Sequence, residues 1–126
     1  MENGILTDAK DEVLVRKLIE QVVLPRGYQN VKANTEGYDT PSKLSRPNEE
    51  GAFIPDATGV LNGKKSYFEL AQKTDDLQEV ITKWKLLSNL ASFKNGKLFL
   101  VVPHGNLAFT NRILNNYPIQ AEVVKM

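Results

Sequence analysis

Apolar positions recur at three-to-four spacing in three stretches of the chain. Between those stretches they alternate or run unbroken. Val15, Leu18, Ile19, Val22 and Val23 form one face of a helix, with Thr7 or Asp8 as its cap and Pro25 and Gly27 stopping it near Leu24. Leu77, Val80, Ile81, Trp84, Leu87 and Ala91 trace a second stripe, capped by Asp75 or Asp76 and reaching about Lys94. Leu107, Phe109, Ile113 and Leu114 mark a third helix, which Asn106 starts and Pro118 follows.

The intervening segments read as strands. Residues 28–33 form a short one with weak alternation. Residues 53–61 and 65–73 are extended runs around Asn62-Gly63, a pair that supplies the two positive φ angles of a type I′ hairpin turn. Alternation puts Tyr67, Glu69, Ala71 and Lys73 on one face and Phe68, Leu70 and Gln72 on the other. Residues 97–102 are nearly all apolar, as expected of a strand covered on both faces, and 119–125 make a last strand. The order α-β-β-β-α-β-α-β predicts an α/β fold, a mixed sheet flanked by helices. A right-handed crossover makes the strands on either side of the second helix parallel.

Composition narrows this little. A chain of 126 residues is expected to be one domain, 1–126, able to bury roughly two-thirds of its unfolded surface without a disulfide or metal. The polar stretch 34–51 is long for a connection within such a domain, and Tyr38, Lys43 and Arg46 make it a candidate substrate-gripping loop. No apolar run approaches the ~20 residues that span a bilayer, and the polar N-terminus does not read as a signal peptide. The expectation is a cytoplasmic protein without membrane contact. The net charge of +1 offers no general field for nucleic acid, so any such contact rests on local clusters. The candidates are Lys43 with Arg46, Lys64 with Lys65, and Lys73 with Lys83 and Lys85.

The chemistry follows by elimination. There is no cysteine, and the one histidine, His104, stands on a turn, so thiol, triad and zinc chemistry lack their residues. No glycine-rich phosphate loop occurs. What remains is a hairpin carrying Asp56 on its first strand and Glu69 and Lys73 on its second, with Glu12 at the margin of the first helix. Two ionised carboxylates about 4 Å apart repel by ~4 kcal/mol at an effective dielectric of 20, so a converging pair calls for a cation. Carboxylates and a lysine suit magnesium, a hard ion that keeps several waters.

Ile54-Pro55-Asp56, the hairpin, an acid and a lysine on the next strand, a long helix and a buried strand together resemble the PD-(D/E)XK nuclease superfamily. That resemblance implies a restriction-endonuclease-like α-β-β-β-α-β core followed by a C-terminal helix and strand. It also implies an endonuclease, a hydrolase of DNA phosphodiesters. On that analogy Asp56 is the first acid, Lys73 the lysine and Glu12 the acid of the first helix. Asp56 and Glu69 would share one Mg²⁺, with Mn²⁺ able to substitute and the Leu70 carbonyl as a further oxygen. The motif is degenerate. Its second acid belongs two residues before the lysine, where Ala71 stands. Glu69 is four residues before Lys73, about 13 Å along an extended strand, while Gln72 faces away unless a bulge re-aims it. The alternative is a nuclease-fold module without catalysis that binds nucleic acid or protein. Either form could work as a homodimer or with a partner subunit.

Overall fold

Asp11 opens the first helix, its carboxylate accepting hydrogen bonds from the Val13 and Leu14 amides. The computed structural model describes residues 10–44 and 53–126, so the expected caps Thr7 and Asp8 lie outside the described residues. Helix α1 runs Glu12–Leu18, widens into a π turn at Ile19–Val23 and tightens into a 3₁₀ turn at Leu24–Arg26. Gly27 ends it with a left-handed φ of 86°, a conformation that glycine adopts without strain.

Strand β1 (Gln29–Ala33) pairs antiparallel with β2 (Ala57–Leu61), with a register shift between Gln29 and Lys32. Strand β3 (Lys64–Leu70) pairs antiparallel with β2. Asn62 and Gly63 make the connection at φ of 54° and 76°, the backbone that a two-residue primed turn requires. Helix α2 (Leu77–Phe93) is capped by Asp76 and carries the chain to β4 (Leu98–Val102), parallel to β3. Helix α3 (Leu107–Asn116) then leads to β5 (Glu122–Lys125), parallel to β4. The described residues thus form one mixed five-stranded sheet in the order β1-β2-β3-β4-β5, within an α/β fold.

Each face of the sheet has its own core. Val15, Leu18, Ile19, Val22 and Val23 of α1 and its π turn pack on Phe68, Leu70, Phe99 and Val101. On the other face Ile81, Trp84, Leu87 and Ala91 of α2, with Ile113 of α3, pack on Tyr67, Ala71, Leu98, Leu100 and Val102. Covered on both sides, β4 is buried at all five positions, which is why it reads as an unbroken apolar run. At the entry to β4 a Cβ on Gly96 would collide with the Lys65 carbonyl, so this approach to β3 needs a glycine.

The structure departs from expectation where ladder partners run out. The second strand begins at Ala57 rather than Phe53, which instead forms an isolated bridge with Leu44. The third ends at Leu70, three residues short of Lys73. The stretch expected as a loop over 34–51 is partly tied down: Ala33 N–H donates to the Asp39 carbonyl, and Arg16 donates to the Glu36 carbonyl. Tyr38 is half-buried and packs against the α1 core. Among the described residues no helix is long and apolar enough to cross a membrane.

Candidate functional site

The hairpin register builds the site. Ala57 pairs with Phe68, so one step outward Asp56 stands opposite Glu69, and opposite residues of an antiparallel pair share a face. Both carboxylates are buried. Leu70 N–H donates to Asp56 Oδ2 at 2.8 Å, and Asp56 N–H donates to Glu69 Oε1 at 3.1 Å. Each acid is thereby fixed by the other's strand.

Two lysines from opposite sides of the sheet close on this pair. Lys10, one residue before the cap of α1, places Nζ 2.8 Å from Asp56 Oδ2, 2.8 Å from Glu69 Oε2 and 3.2 Å from the Leu70 carbonyl. Lys83, on α2, places Nζ 2.7 Å from Glu69 Oε2 and 3.1 Å from the Ile54 carbonyl. Two ionised carboxylates that meet on one ammonium repel by a few kcal/mol at an effective dielectric of about 20. The ammonium between them offsets that. Among the described residues, the two carboxylates and two ammonium groups of these contacts balance in charge.

The two acids are not equivalent. Burial, with Glu69 alongside, pushes the Asp56 carboxyl up to about 6 against the pull of Lys10 and Lys83. Burial acts on Glu69 in the same direction, but both lysines touch it and hold it down at about 2. Burial also works against the Lys10 ammonium, yet Asp56 and Glu69 together keep its pKa above the usual lysine range. Asp56 Oδ1 is buried with no hydrogen-bond partner among the described residues. An orphaned acceptor costs about 1–3 kcal/mol, so this oxygen is a place that the described groups leave open.

The cluster forms one wall of a cavity of about 230 Å³ lined by Lys10, Glu69, Gln72, Lys73, Thr74 and Lys83, among others. Lys73 is exposed, and its amide donates to Asn106 Oδ1. It therefore sits beyond the strand, on the rim of the cavity, rather than beside Glu69. Gln72 lines the same cavity and is half-buried.

Other expected site residues lie elsewhere. Glu12 is exposed on the first turn of α1, and it is Lys10, two residues earlier, that reaches the acids. Lys83 was expected among the nucleic-acid-facing lysines. It is instead buried on Glu69, with 5% of its side chain exposed. Lys64 and Lys65 flank the hairpin turn at the opposite end of β3, roughly 13–17 Å from Glu69 along the strand. Burial, with Lys32 and Lys94 nearby, lowers the Lys65 pKa. Lys43 is exposed, and Arg46 lies outside the described residues. His104 is exposed on the turn after β4.

Lys83 had a signal in the sequence. It is three residues after Val80 and four before Leu87, so a charged group occupies a core-facing helical position. Such a position requires a buried partner. Lys10 had none, standing in a polar stretch without periodicity.

Among the described residues no three or more histidine, cysteine, aspartate or glutamate side chains gather. The oxygens available to a metal are Asp56, Glu69 and the Leu70 carbonyl, and this set fits magnesium or manganese chemically: two hard carboxylates and a carbonyl, with room for water. In the structure the Lys10 ammonium stands at the point where these three oxygens converge. No family model, curated protein or solved structure matches the chain.

Proposed function

We propose that the protein is a divalent-metal-dependent nuclease of the PD-(D/E)XK type that hydrolyses DNA phosphodiesters. The observation that carries this reading is the convergence of Asp56 Oδ2, Glu69 Oε2 and the Leu70 carbonyl on one cation, Lys10 Nζ. These are the oxygens that the resemblance assigns to Mg²⁺. They stand beside a cavity whose lining carries Lys73 and Lys83 together with the acids Asp76 and Glu79. When bound, such an ion polarises a phosphoryl oxygen and lowers the pKa of a bound water. Lys83 keeps Glu69 ionised and brings positive charge to the wall of the cavity, next to the acid, where the motif's lysine would act. Lys73 on the rim is placed to meet the charge that develops on a phosphate. On this reading DNA is the partner, the protein acts alone, as a homodimer or with a second subunit, and the setting is cytoplasmic.

One observation favours a second reading. The cluster is already neutral, as a nuclease-fold module that binds nucleic acid or protein without cutting would be. Incubation with manganese and single-stranded, duplex and branched DNA separates the two. The nuclease reading expects cleavage that Asp56→Asn reduces by at least 10²-fold, the scale of losing one well-placed electrostatic group. DNA binding without cleavage of any substrate would hand the account to the second.

A further inference from the structure

Lys10 touches each of the three residues that would ligate a metal here. Its Nζ lies 2.8 Å from one oxygen of each carboxylate and 3.2 Å from the Leu70 carbonyl. Magnesium or manganese would use the same atoms at about 2.1 Å. An ammonium and a dication cannot share them, because both need the same lone pairs and like charges repel steeply at that separation. With both lysines docked the cluster is neutral. With Lys10 withdrawn, Lys83 stays on Glu69 and the cluster carries one net negative charge, suited to a dication.

The geometry lets Lys10 leave without disturbing the fold. It precedes the Asp11 cap, so no helical hydrogen bond depends on it. Its side chain is 20% exposed, against 5% for Lys83, and it lines the open cavity. A four-carbon stem can swing into that cavity while α1 keeps its packing. Among the described residues Asp56 Oδ1 is buried without a partner, so Lys10 does not satisfy every acceptor of the pair.

We infer that Lys10 and a divalent metal ion are alternative occupants of one site, so that the Lys10 side chain acts as a tethered competitor that sets the protein's metal affinity. The inference rests on the metal site of the proposed function. A site open only about 1–10% of the time has its apparent affinity cut about 10- to 100-fold.

The test is manganese chloride titrated calorimetrically into the wild-type protein and Lys10→Met, whose side chain keeps length and loses charge. Manganese should bind Lys10→Met at least 10-fold more tightly, and adding Asp56→Asn should erase that gain. Equal affinity in the two proteins, or binding to neither, overturns the inference. Should Lys10→Met fail to fold, mass-spectrometric amine acylation of the wild type gives the same answer. Lys10 should be protected without metal and acylate at least 10-fold faster in saturating manganese, while exposed Lys64 does not change. Lys10 acylation indifferent to manganese overturns the inference as well. The two proposals fail separately. Tighter manganese binding by Lys10→Met without DNA cleavage defeats the nuclease, whereas cleavage with affinity indifferent to Lys10 defeats the competitor.

Discussion

Lys83 and Glu69 form an ion pair inside a core, and such a pair is judged by what its loss leaves behind. Their 2.7 Å contact is almost wholly buried. Removing one partner of a buried pair costs about 3–5 kcal/mol, since the other charge is left without compensation. Lys83→Met should therefore lower the thermal midpoint by roughly 10–20 °C in a domain of this size. Pairing it with Glu69→Gln should recover part of that loss, a coupling that a double-mutant cycle measures. A shift below about 2 °C for Lys83→Met would mean that the pair is not buried as described. The acids were legible in the sequence because one turn fixes their register: once Asn62-Gly63 is a two-residue hairpin, Asp56 must face Glu69. Lys10 was not legible. Its partners are 46 and 59 residues away, and no periodicity in residues 1–10 points at them.

At the level of elements, two glycines do opposite work at the same end of the sheet, Gly63 ahead of β3 and Gly96 ahead of β4. Gly96 has the Lys65 carbonyl where its Cβ would be, whereas Gly63 has open space around it and a φ of 76°. Gly63→Ala should cost about 1–2 kcal/mol, the price of left-handed backbone alone. Gly96→Ala forces β3 and β4 apart and should cost more, about 3 kcal/mol, at the upper end of overpacking penalties. Urea midpoints at constant m-value check the order, and a larger loss at Gly63 would contradict it. The elements themselves were readable, because helix stripes and the apolar run of β4 follow from burial. Their ends were not. β3 stops at Leu70, where its pairing with Val101 of β4 ends, its pairing with β2 having ended at Phe68. Such a limit is set by tertiary pairing and leaves no local mark. The cap at Asp11 likewise competes with other acids in a polar stretch.

Across the whole molecule, the sheet carries the site at one end. The start of β2, the end of β3 and the N-terminal end of α1 meet there, and the parallel strands β3 and β4 both finish toward it. Ligand sites gather at the carboxyl ends of parallel strands. The element order, the parallel crossover and the division of the core between two faces could all be read in advance, since each follows from pattern and handedness. The charge balance of the site could not, because it depends on Lys10, which reaches it from ahead of α1 and leaves no mark in the local pattern. Lys64 and Lys65 lie at the far end of the sheet. Replacing both by alanine should leave manganese affinity within about twofold, as expected for charges farther from the site than a Debye length of about 10 Å in 0.1 M salt. Calorimetry checks it, and a tenfold loss would mean that the hairpin tip takes part in the site.

The most direct test of the account is crystallographic. Lys10→Met crystals grown with manganese should show an anomalous difference peak bounded by the Asp56 and Glu69 carboxylates and the Leu70 carbonyl. A peak found only at surface acids such as Asp75 and Asp76, or none at all, would contradict it.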